Sequence, residues 1–210
     1  MEEPLYQRCK PERLDMNTLF ILTEEESLRT ALDVILPKLI DPSRVSYQVI
    51  AHDGKQDLET AIRRTVPSLS RIPGARIIVT RDQDAEDCLL VKKHLQELVM
   101  ANCNAPYKIR VLCHELENWF LGDFEAISAA FPRFRPDQVR QKAKYRNVDN
   151  LANAPQELLK IIPELAGRAY LSKINTASMI SPHLNTERNT SLSFQNFVRA
   201  VEELTTGNLE

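Results

Sequence analysis

Four short apolar runs, separated by stretches of helical periodicity, limit what this chain can fold into more than any other feature. They lie at residues 17–22, 47–51, 75–80 and 107–112. Leu19, Phe20, Ile21 and Leu22 follow one another without a polar interruption, the pattern of a strand buried on both faces. After them, residues 24–40 set Leu28, Leu32, Ile35, Leu36 and Leu39 on one helical stripe, which Pro37 should bend or end. Residues 56–66 read as a helix stopped by Pro67, and Pro73 with Gly74 as a turn. A third helix is expected over 86–101, with Cys88, Val91, Leu95 and Leu98 at heptad-like spacing. In the fourth run Lys108 and Arg110 alternate with apolar residues, which predicts an edge strand with one wet face.

Strand and helix in alternation predict an α/β fold: a parallel four-stranded sheet with right-handed crossovers, flanked by helices. Strands fade from Phe131 onward, and residues 155–162, 173–180 and 194–204 read as helices. The expected organisation is an α/β domain over 16–130 and a C-terminal helical extension over 131–210 packed on it. There is no repeat, low-complexity tract or flexible linker.

At 210 residues the chain can bury a sizeable core without staples. A formal net charge of −2 argues against a broad basic surface, so nucleic-acid contact would need a local patch. Residues 1–15 are too polar for a signal peptide, and no apolar run of about 18 residues could span a membrane. A soluble, cytoplasmic protein is expected. Cys9, Cys88, Cys103 and Cys113 form no C-x-x-C pair, which argues for reduced, packed thiols rather than a zinc site.

Carboxylates gather where a parallel sheet binds its ligands, beyond the carboxyl ends of the strands. Glu24, Glu25 and Glu26 follow the first run, and Asp82-Gln83-Asp84 follows the third. The segments 52–57 and 113–117 should join them at the same edge. Like charges a few ångströms apart raise one another's pKa or recruit a cation. Oxygen ligands suit Mg²⁺ (or Mn²⁺), which can polarise a phosphoryl oxygen or supply hydroxide. The bland reading is that Glu24–Glu26 complement a helix dipole and that Asp87 caps a helix.

These residues resemble the Toprim pattern of topoisomerases, primases and OLD-type nucleases. More closely, the chain resembles a bacterial Toprim-like family described as a domain of unknown function, often encoded beside an AAA-type ATPase in mobile defence loci. The resemblance rests on residues 22–28, Gly54-Lys55-Gln56-Asp57-Leu58, Arg81-Asp82-Gln83-Asp84 with Asp87 and Cys88, and Arg110 with Glu115, Glu117, Trp119, Gly122 and Asp123. Asn189, Ser191, Ser193, Phe194 and Phe197 complete it. It implies that Asp82 and Asp84 hold the metal and that Glu24 ligates it or moves a proton. Toprim proteins usually carry Gly after that glutamate. Glu25 stands there instead, which leaves open which of the two points into the site. Asp87, Glu115 or Glu117 would complete the ligand shell.

Other residues carry two readings each. Lys55 is a phosphate contact or a surface lysine after a turn glycine; no Walker A loop surrounds it. Arg133, Arg135, Arg140, Lys142, Lys144 and Arg146, with Phe134 and Tyr145 interleaved, form the one basic stretch. They would lead a DNA or RNA backbone toward the acids, or form a solvated helix face. His52 and His114 are proton shuttles or structural histidines, the latter favoured. Trp119, Phe120 and Leu121 read as core, and Ser191 and Ser193 as helix caps.

Three functions are therefore carried forward. The first is a Mg²⁺-dependent nuclease subunit acting in antiviral defence with an ATPase partner. Next comes a catalytically silent module docking on an AAA-type ATPase. Last is a metal-dependent phosphatase for small substrates. A homo-oligomer is compatible with each.

Overall fold

The computed structural model describes residues 17–206, so Cys9 and residues 1–15 lie outside the described residues. The four strands form where the apolar runs stand: β1 (Asn17–Thr23), β2 (Val45–Ala51), β3 (Ala75–Asp82) and β4 (Tyr107–Leu112). They make one all-parallel sheet in the order β2-β1-β3-β4. The helices between them are α1 (Glu26–Ile35), α2 (Lys55–Arg64), the short α3 (Val66–Leu69) and α4 (Cys88–Met100). Pro37 ends α1, whose last turn tightens to a 3₁₀ turn at Leu36–Lys38. Pro67 does not stop the second helical stretch outright. It sits in the first turn of α3, where the missing N–H costs nothing.

Because side chains alternate across a strand, the sheet divides its apolar residues between two cores. Leu19, Ile21 and Ile78 face α1 and the C-terminal region. Phe20, Leu22, Ile77, Val79 and Ile109 face α2, α3 and α4. The arrangement is a three-layer α/β sandwich.

After β4 the chain is helical and irregular: α5 (Glu117–Leu121), α6 (Phe124–Ala130), α7 (Ala154–Ile161), α8 (Lys173–Ile180) and α9 (Leu192–Thr206). The larger core runs from Leu19 and Ile21 through Trp119 to Ala177 and Val201 without a break at Phe131. The helical extension thus completes the cover of one sheet face.

β4 is an edge strand, as its alternation predicts, but its basic face is covered by α9. Lys108 pairs with Glu203 at 2.6 Å, and Arg110 Nε donates to the Asn196 carbonyl. Among the described residues no helix is long and apolar enough to cross a membrane.

Candidate active site

In this strand order the chain leaves β1 for β2 on one side and returns to β3 on the other. The crevice between the ends of β1 and β3 is the place where open parallel sheets take ligands. Glu24 follows β1 there, and Asp82 is the last residue of β3 rather than a loop residue. The loops after β2 and β4 are fastened to this edge by backbone bonds. Gly54 N–H donates to the Glu24 carbonyl at 3.1 Å, and Asp84 N–H to the His114 carbonyl at 3.0 Å.

Glu24 is buried. Its Oε2 accepts the Asp82 N–H at 3.2 Å and lies 3.7 Å from Arg81 Nε. Burial, then the charge of Asp84, raises its pKa against the pull of Arg81. Asp82 is also buried and forms no ion pair among the described residues. Burial and the charge of Glu25, more than offsetting Lys173, push its carboxyl well above the usual range.

Glu25 lies beside this pair. Ser27 Oγ donates to its Oε2 at 3.0 Å, and Lys173 Nζ stands 3.1 Å from each of its oxygens. The same ammonium is 3.1 Å from Glu115 Oε2. Glu117, the first residue of α5, is 0% exposed, and among the described residues no other residue donates a hydrogen bond to either carboxylate oxygen. Its electrostatic neighbours are Lys173, Glu115 and Glu25, and burial raises its pKa to about 7. Lys173 is itself held strongly protonated. Burial opposes its charge, but Glu117, Glu25 and Glu115 outweigh that.

Five carboxylates from three strand ends thus gather at this edge, four of them around Lys173 and Glu24 beside Arg81. A cleft of about 690 Å³ opens onto them, lined by Glu24, Glu25, Ser27, His52, Gly54 and Lys173 among others. Among the described residues no three His, Cys, Asp or Glu side chains are arranged to hold a metal ion as they stand.

Asp84 is exposed and takes a left-handed backbone, φ 54°. It acts on Glu24 through its charge alone. Asp87 does not belong to the cluster. Its Oδ1 accepts the N–H groups of Leu89 and Leu90 at 2.8 and 3.0 Å, which makes it the N-cap of α4. Lys55 is spent on Glu86, 3.3 Å away, and Glu86 also binds the buried Arg81. The Nδ1 atoms of His52 and His114 lie 2.9 and 3.1 Å from the carbonyls of Thr23 and Asp84.

The basic stretch is not a helix face. It runs through 3₁₀ turns, and Phe134 and Tyr145 are core residues rather than stacking platforms. Arg140 pairs with Glu125 and Lys144 with Glu157, while the Arg135 side chain donates to nearby carbonyls and the Arg133 N–H binds Glu164. Lys142 and Arg146 are exposed. Among the described residues no hydrogen bond or ion pair joins any of the six to the acid cluster.

Below the site, the segments around Trp119 and Ser193 lock together. Trp119 packs its ring 5.1 Å from Phe194 and 5.3 Å from Phe197, and its Nε1–H donates to Ser193 Oγ at 3.2 Å. Ser193 Oγ also accepts the Cys113 N–H. Ser191 caps α9 through the Phe194 N–H, and Asn189 Nδ2 donates to the Trp119 carbonyl. This assembly anchors the loop that carries Glu115 and Glu117. Burial raises the thiols of Cys88 and Cys103, and that of Cys113 to about 11, which disfavours the reactive thiolate.

Residues 23–202 match a family described as a domain of unknown function (DUF4276). The chain belongs to that family. No curated protein and no solved structure matches the chain. The matched span takes in the whole acid cluster and the Trp119 and Ser193 assembly beneath it.

Two residues of the site were not legible in the strand-end pattern. Arg81 adjoins Asp82 but reads as one more polar residue past a strand. Lys173 opens a helix far along the chain, and no local signal connects it with Glu25.

Proposed function

We propose that this DUF4276 protein is a divalent-cation-dependent phosphodiester hydrolase, a Toprim-like nuclease subunit whose reaction centre is the acid cluster. The observation that carries the reading is Glu117. A wholly buried carboxylate to which no other described residue donates is costly, and a cation shared with neighbouring carboxylates relieves that cost. The donor set is all oxygen, which suits Mg²⁺ or Mn²⁺ rather than zinc.

Asp82 and Glu117 would hold the ion, with Asp84 reaching in from its turn and Glu25 and Glu115 available once Lys173 withdraws. A bound divalent cation supplies a polarised phosphoryl oxygen and an acidified water. Glu24 has the attributes of the proton acceptor. Its Oε2 is fixed by the Asp82 N–H, Oε1 has no protein partner among the described residues, and its pKa is raised. Arg81, clamped by Glu86, orients it. The cleft lining includes Glu26, Asp53 and Asp57 as well, so a phosphate approaches only with cations in place.

The test is cleavage of single- and double-stranded DNA and RNA with Mn²⁺, alongside a generic phosphate ester. Asp82→Asn and Asp84→Ala should each abolish divalent-dependent cleavage and leave the fold intact. Unchanged cleavage by Asp84→Ala overturns its assignment to the metal, and hydrolysis of the ester alone points to a small-substrate phosphatase.

One observation favours a second reading. Lys173 neutralises part of the cluster internally, as in a catalytically silent module that works by docking on an AAA-type ATPase in antiviral defence. Co-purification with such an ATPase, together with no Mn²⁺ binding by calorimetry, decides for the module.

A further inference from the structure

The acid cluster carries a cation of its own. Lys173 Nζ bridges Glu25, after β1, and Glu115, after β4, and so spans the sheet edge across the intervening β3. A lysine has three N–H donors, and these contacts use them. They leave Glu117 without a donor from another described residue although Lys173 is its foremost charge partner. With Arg81 engaged at Glu24, one ammonium therefore serves Glu25, Asp82, Glu115 and Glu117 and satisfies only part of the set.

The lysine stands at the wall of the cleft. Its side chain is 34% exposed and lines the cleft, so solvent stands beside it. The rest of α8 is held independently, with Ala177 and Ile180 buried in the larger core. Lys173 can swing out without disturbing the helix.

We infer that Lys173 is the resident counter-ion of this centre, and that a divalent cation competes with it for the same carboxylates and expels its ammonium into the cleft. This rests on the metal-centre reading above. It adds that cation loading is opposed by the protein itself and releases one tie between the helical extension and the sheet edge.

Calorimetric titration with Mn²⁺ tests this on the full chain, comparing wild type, Lys173→Gln and Lys173→Arg in chelator-stripped buffer. K173Q should bind Mn²⁺ about two- to fivefold more tightly than wild type, the scale of one competing ion pair lost, while K173R stays near wild type. Metal-free K173Q should also melt lower than wild type. Equal or weaker binding by K173Q overturns the competition but leaves the metal centre standing. Binding by none of the three removes both. A readout on the wild type needs no variant: acylation of Lys173, followed by mass spectrometry against the exposed Lys93, should accelerate several-fold at saturating Mn²⁺. An unchanged rate overturns the expulsion.

Discussion

Burial holds the Glu117 carboxyl at about 7, so near neutral pH it carries a proton about half the time. Its folded pKa lies above the unfolded one. Its contribution to stability is therefore full below about 4.5 and is lost as pH rises through 7. Glu117→Gln keeps the shape and removes the charge. In chelator at pH 8 it should stabilise the protein by roughly 1–3 kcal/mol in urea unfolding, while weakening Mn²⁺ binding. Loss of stability at that pH would show that Glu117 makes a favourable contact as a carboxylate. Gly122 is constrained by space rather than by its dihedral angles. A Cβ there would collide with Asn189 Oδ1, the amide whose nitrogen holds the Trp119 carbonyl. Gly122→Ala should cost about 1–3 kcal/mol by overpacking. A urea midpoint within error of wild type would show that Asn189 can move aside.

At the scale of elements, Asp87 separates two roles that its position after β3 had left open. It satisfies two N–H groups of α4 and takes no part in the acid cluster. Asp87→Ala should lower stability by about 0.5–2 kcal/mol and leave Mn²⁺ affinity unchanged. A large drop in affinity would return it to the metal centre. Ser191 and Ser193 divide similarly. Both stand before an apolar stripe and read alike as caps, but only Ser191 caps α9. Ser193 lies inside the first turn and ties Trp119 to the Cys113 backbone, a task visible only once the β4 and α9 segments are adjacent.

For the molecule as a whole, the raised acids set an unusual pH response. Glu24, Asp82 and Glu117 all bind protons more tightly when folded, so the metal-free protein should lose stability as pH rises from about 4.5 through 7. Glu86, Glu157 and Glu203 work in the opposite sense. Lys55 holds Glu86 low, Lys108 holds Glu203 low, and Lys144 and Tyr145 hold Glu157 low against its burial. Their stabilisation is present above about 4.5 and is lost as pH falls below it. Melting curves in chelator should therefore peak near pH 5 and decline toward 7.5, and Mn²⁺ should restore more at 7.5 than at 5. A flat profile between those values would mean that the acids do not confront one another in solution.

The layered sheet was legible from residues alone because burial on two faces leaves a local trace. Leu19–Leu22 can only be a buried strand, and the helical stripes between the runs make its neighbours parallel. The gathering of Glu24, Asp82, Glu115 and Glu117 at one edge followed, since parallel strands deliver all their following loops to the same side. What tertiary structure alone decided is which charges meet. Lys173 lies 148 residues from Glu25 and reaches it only because α8 folds back over α1. Likewise, Arg140 and Lys144 find their partners on α6 and α7 rather than at the acids. Ion pairing depends on distance in space, and a helix start such as Lys173 holds no local record of which strand end it will face.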